Sequence, residues 1–219
     1  MNFKEIKSEA WQIAKDNLWG IWASYGFIML LAYASSALST EIMVRYGKCL
    51  FSIKDICIFT TGSLIAEGIS ILMSIAITFL TFGLYNYLLK LIRNEAPTFN
   101  DIFRFKKDFF KLFCLSFLVN LIIGFGSILI IPGIILELAY AMIYFIYVDE
   151  EGTIKETMKA SREMMKGYKW NYFLFSLSFI GWIILTIVTL GIGLIWLIPY
   201  LMVAQALYYE SLQNLKKRN

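Results

Sequence analysis

The sequence predicts an all-α membrane protein, a six-span bundle of three helical hairpins with amphipathic interfacial helices and both termini in the cytoplasm. Three observations carry this. Of 219 residues, 59% are hydrophobic and only 16% charged, against roughly a quarter charged in soluble domains. Residues 170–209 carry no charge, and 112–148 carry only Glu137; each run is about twice the ~20 residues a helix needs to cross a hydrocarbon core. A nine-residue pattern, GFGSILIIP at 124–132 and GIGLIWLIP at 191–199, occurs once in each run.

The N-terminal segment comes first. Phe3, Ile6, Ala10 and Ile13 recur at helical spacing, with Lys4, Lys7, Glu9 and Asp16 elsewhere on the wheel, which predicts an amphipathic helix. No short apolar region with a small-residue cleavage site follows, so no removable signal peptide is expected. The spans are then read at about 18–38, 63–89, 108–123, 127–148, 170–189 and 194–212. One polytopic domain, 1–219, divides into an amphipathic helix plus first hairpin (1–97, outer loop 39–62) and two repeated units at 98–148 and 153–215.

In each repeated unit a Gly-x-Gly is expected to reverse the chain: Gly124 and Gly126 in one, Gly191 and Gly193 in the other. Glycine reaches positive φ without steric cost, so a hairpin can turn there with no polar loop. Pro132 and Pro199 follow early in the returning helices. Each is expected to kink its helix and free the carbonyl four residues back, at Ile128 and Ile195. Phe113-Cys-Leu-Ser-Phe-Leu118 and Phe175-Ser-Leu-Ser-Phe-Ile180 extend the likeness. Whether the first hairpin is a third, diverged copy stays open.

Thr98-x-x-Asp101 and Thr153-x-x-Glu156 match the capping-box pattern and predict an amphipathic helix before each repeated hairpin, the second ended by Gly167. With six spans and the N-terminus inside, 17 of the 20 Lys and Arg residues fall on the cytoplasmic side, as the positive-inside rule requires. Arg45, Lys48 and Lys54 are the exceptions. Arg104, Lys106, Lys107, Lys159, Arg162 and Lys166 are expected at the membrane surface, where the partner is a bilayer with anionic headgroups. Charges spread along a membrane edge do not suit a nucleic acid.

Glu137 stands about ten residues into the fourth span, near mid-bilayer. A charged carboxylate there costs on the order of 2.5–3.5 kcal/mol, so it is expected to be neutralised, paired or facing water. Asn120, Gln205 and Tyr140 are its candidate hydrogen-bond partners. The chain has no histidine and three cysteines, Cys49, Cys57 and Cys114. No metal site, cofactor or catalytic motif is expected, and hence no enzyme. Free thiols are the plain expectation, with a Cys49–Cys57 disulfide the alternative.

The tract SREMMKGYKWNYFLFSLSFIGWIILTIVTLGIGLIWLIPY at 161–200, with IIPGII at 130–135 and LTFGLYNYLLKLIRNEAPTFNDIF at 80–103, resembles a bacterial integral membrane family known as domain of unknown function 975. The resemblance spans roughly 80–210, and its FIGW and VTLGIG tracts are specific. It implies a multi-pass protein of the bacterial cytoplasmic membrane with no established activity. Tyr168 stands where the family suggests histidine, and Leu136-Glu137 near where it often carries a basic residue. Two functions are expected: a non-catalytic partner of another membrane protein or peptide, in immunity, stress response or assembly, or a transport module with a cavity lined by kinked helices and Glu137.

Overall fold

The computed structural model describes residues 2–46, 49–53, 56–105 and 107–218, with the backbone alone at 43, 46, 49–53, 56–63 and 218. It is a helical bundle. Helices α1 (Phe3–Asp16) and α2 (Leu18–Tyr46) lead to a two-stranded hairpin, β1 (Cys49–Ile53) and β2 (Ile56–Thr60), and α3 (Thr61–Ile92) returns. A 3-10 helix (Phe99–Phe103) precedes α4 (Phe109–Ser127), α5 (Ile130–Tyr140), α6 (Ile143–Glu150) and α7 (Ile154–Met164). Helices α8 (Lys169–Leu177), α9 (Ile180–Val188) and α10 (Leu194–Arg218) complete the chain. The described part of the expected outer loop 39–62 is thus the end of α2, an antiparallel hairpin and the start of α3. Its register sets Cys57 opposite Ser52 and Cys49 opposite Thr60; the side chains of the expected Cys49–Cys57 pairing lie outside the described residues.

Five stretches are long and apolar enough to cross a membrane: Leu18–Ile42, Leu64–Ile92, Phe109–Ser127, Ile130–Glu150 and Lys169–Val188. Their outward faces carry large exposed apolar side chains, among them Leu72, Phe110, Ile130 and Val188, as expected of surface that meets lipid. The expected sixth span lies in α10, which has 25 residues but is more polar toward its C-terminal end.

The two Gly-x-Gly tips differ. At the second, the expectation holds: Leu190 (φ 50°) and Gly191 (φ 93°) are both left-handed in the turn joining α9 to α10. At the first, Gly124 and Gly126 lie inside α4, and the reversal falls at Ile128 and Leu129. Gly126 serves close packing instead. A Cβ there would overlap Leu136 Cδ1, and one at Gly133 would sit 2.8 Å from Ser127 Cα, so these small residues let α4 and α5 approach closely.

Pro132 also departs from expectation. It occupies the third position of α5, where a backbone N–H would have no helical partner, so it opens no kink. Pro199 does lie inside α10 and strips Ile195 O of its donor. Spans four and five are interrupted elsewhere, at Ala141–Met142 and Ser178–Phe179.

Each interruption is closed by a side chain from another helix. Ser161 Oγ of α7 donates to Ala139 O at 3.0 Å. Trp182 N turns to Phe179 O, and Lys7 Nζ of α1 donates to the vacated Ser178 O at 2.9 Å, its ammonium 4.5 Å from the Phe179 ring centre. Trp22 Nε1 of α2 donates to Ile195 O at 2.8 Å. In an apolar surround a freed carbonyl must find such a donor.

These bonds revise two expectations. Helix α1 does not lie free at an interface: Ile6, Ala10 and Ala14 are buried, Phe3 meets Phe175, and Trp11 meets Trp182 and Tyr200. Trp22 and Ile195, expected near opposite faces of the membrane, are hydrogen-bonded, so the starts of α2 and α10 lie together. The expected amphipathic helix after Thr98 is only the 3-10 turn, seated so closely that a Cβ at Gly83 would overlap the Ile102 carbonyl. Helix α7 does form, with Thr153 N–H donating to Glu156 Oε2 at 2.8 Å as its capping box requires, and Gly167 (φ 84°) in the turn beyond it.

Candidate functional site: a cavity at Glu137

Helices α4 and α5, held together at Gly126 and Gly133, present matched stripes to a cavity of about 550 Å³. Val119, Asn120 and Ile123 come from α4, and Ile134, Glu137 and Leu138 from α5, at separations of one, three and four residues that keep them on one helical face. Tyr172, Phe173 and Ser176 of α8 repeat that spacing on the third wall. Tyr85 of α3, Tyr140, Ala141, Tyr144 of α6 and Gln205 of α10 complete the lining.

The four polar residues singled out in the sequence, Glu137, Asn120, Gln205 and Tyr140, therefore line one chamber. The bonding differs from the expected network. Gln205 Nε2 donates to Tyr172 Oη at 3.2 Å, while Glu137 is exposed to the cavity and makes no hydrogen bond among the described residues. No Lys or Arg among those residues lines the chamber. It can thus offer a carboxylate, amides and phenol groups among aromatic faces.

A second polar centre closes one end of the bundle, and sequence reasoning missed it. Arg93, just past α3, donates to both carboxylate oxygens of Asp149 at 2.7 and 3.1 Å and to Glu210 Oε2 at 2.9 Å. Tyr209 Oη (2.9 Å) and Gln213 Nε2 (2.7 Å) also donate to Asp149 Oδ2. Hydrogen bonds to Asp149 hold the Arg93 guanidinium above its ordinary pKa in spite of burial. Asp149 and Glu210 each directly follow an uncharged apolar run, and that position was the available signal.

Nearby, Lys90 Nζ and the Thr98 N–H (2.7 Å) donate to the Asp101 carboxylate. Burial alone would raise the Asp101 pKa, but these bonds outweigh it and leave the group below its usual value. Arg104 is not free for headgroups: it donates to Asn86 Oδ1 at 3.0 Å and pairs with Glu151 at 3.1 Å. Lys107, Arg162 and Lys166 are exposed, as is Lys159, which faces Glu163 at 3.8 Å; Lys106 lies outside the described residues.

Residues 127–216 match the model of the family described as Protein of unknown function (DUF975). The resemblance seen in the sequence thus holds from the end of α4 through α10, which includes Glu137, Tyr140 and Gln205 but not Asn120. No curated protein and no solved structure matches the chain.

Proposed function

We propose that this DUF975-related membrane protein is a binding and transport module of the bacterial cytoplasmic membrane, not an enzyme, which holds a small ligand at Glu137. The observation that supports this most is the cavity itself, where a carboxylate with no hydrogen-bond partner among the described residues faces open space beside Asn120, Gln205 and Tyr140. Its volume lies within the ~300–1,000 Å³ typical of ligand sites. A carboxylate in a bilayer interior requires a counter-charge or water, and a bound ligand can supply the former. In this reading both termini are cytoplasmic, and Lys107, Lys159, Arg162 and Lys166 rest against anionic headgroups.

The Glu137→Gln and Glu137→Leu variants test the role. Gln preserves shape and hydrogen bonding but not charge. Expected is an unchanged melting temperature in detergent for the Gln variant, with loss of protein-dependent resistance of cells to cationic compounds. A fully active Glu137→Gln protein overturns the reading. The partner role in immunity, stress response or assembly draws support from the filled end of the bundle, where Phe145, Tyr147, Tyr208 and Tyr209 are fully buried behind Arg93. That role predicts wild-type behaviour for both Glu137 variants and a specific cross-link to a second membrane protein.

A further inference from the structure

A second cavity of about 290 Å³ adjoins the first, between α2, α3 and α10. Tyr25, Ile28, Met29, Ala32, Leu84 and Met202 give it an almost wholly apolar wall. Tyr85 and Gln205 line both chambers. The Tyr85 ring stacks on Tyr144 at 5.3 Å and meets the edge of Phe145 at 4.6 Å. Two side chains thus divide an acidic chamber from a greasy one.

Resting on the binding role of Glu137 argued above, we infer that the ligand is a single-chain cationic amphiphile, its ammonium head beside Glu137 and its alkyl tail in the α2–α3–α10 chamber. Three features point to this class. The head chamber holds a carboxylate and, among the described residues, no Lys or Arg, so an anionic head meets repulsion with no compensating partner. Tyr85, Tyr140, Tyr144, Tyr172 and Phe173 surround the same space, and aromatic faces attract quaternary ammonium groups. The adjoining chamber offers what an alkyl chain needs, apolar surface away from water. A rotamer change at Tyr85 or Gln205 joins the two.

The test uses the full chain solubilised in digitonin, which brings no alkyl chain of its own. Tetramethylammonium, dodecyltrimethylammonium and dodecyl sulfate are titrated by calorimetry against wild type, Glu137→Gln, Ala32→Phe and Met29→Phe. Expected is that the dodecyl cation binds wild type at least about tenfold tighter than tetramethylammonium, equivalent to ~1.4 kcal/mol. Ala32→Phe and Met29→Phe, which fill the tail chamber, should erase that advantage while leaving tetramethylammonium affinity unchanged, and the latter shows that they fold. Glu137→Gln should weaken both cations. A chain-length advantage that survives both filling variants overturns the tail assignment and leaves the Glu137 role standing. Equal binding of dodecyl sulfate overturns the cationic head. No binding of either cation by wild type removes the ligand class and the Glu137 role together.

Discussion

Replacing Arg93 with Met should destabilise the protein more than any single change at an exposed charge. The side chain holds the ends of α3, α6 and α10 together through Asp149 and Glu210. Exposed ion pairs contribute ~0–1 kcal/mol, whereas stripping one partner from a buried pair costs ~3–5 kcal/mol. Here the side chains of Arg93, Asp149 and Glu210 are 29%, 15% and 27% exposed, which discounts the buried figure to roughly 2 kcal/mol. The two acids should not respond alike. Among the described residues Asp149 accepts from Arg93, Tyr209 and Gln213, while Glu210 accepts from Arg93 alone, so Asp149→Asn should cost more than Glu210→Gln. Equilibrium unfolding in mixed micelles gives all three values. An Arg93→Met protein within about 0.5 kcal/mol of wild type, the range of ordinary surface changes, or a reversed order of the two acids, refutes the argument.

Trp22→Phe leaves Ile195 O without its donor and should cost roughly 0.6 kcal/mol, the average for hydrogen bonds within membranes. Pro199→Ala returns a backbone N–H to that carbonyl, so the Trp22 effect should largely vanish in the Pro199→Ala background; additive effects in this cycle would deny the capping role. Asp101 has a lowered pKa, so its contribution is complete above the unfolded value of ~3.9 and is lost as pH falls through the folded one. The stability gap between wild type and Asp101→Asn should therefore be flat above about pH 5 and close on strong acidification, and a gap that widens toward low pH contradicts the assignment. Topology is checked by single cysteines on exposed positions: Glu41→Cys should react with an impermeant thiol reagent in intact cells and Lys155→Cys only after lysis. The reverse pattern inverts the orientation.

The helical class and the five apolar stretches were legible because charge depletion and span length are properties of the chain itself. The polar residues of the Glu137 cavity were legible for a related reason: a carboxylate within an apolar run is conspicuous, and few partners exist. What escaped was set by contacts across long sequence separations. Gly124-Phe-Gly126 and Gly191-Ile-Gly193 look alike, yet only the second turns the chain, since the first is absorbed into α4 by its packing on α5. Nothing local marks Trp22 as the donor to a carbonyl that Pro199, 177 residues further along, leaves free. Arg93 and Arg104 count equally toward the cytoplasmic charge bias, and nothing local shows that both are taken up by acids of other elements. Ser161 resembles any serine on a surface helix, although it is buried against Ala139 O.

The donors that close the broken helices also impose an order on synthesis. Lys7 and Trp22 leave the ribosome well before their acceptors, which lie 171 and 173 residues further along. At an elongation rate of ~5–20 residues per second, both side chains wait roughly ten to thirty seconds in the nascent chain before Ser178 and Ile195 exist. Helix α1 therefore passes that interval without the surface it finally covers, sheltered by lipid, by the insertion machinery or by water. Its docking must follow the arrival of α8 to α10, so an earlier-made segment completes a later-made one.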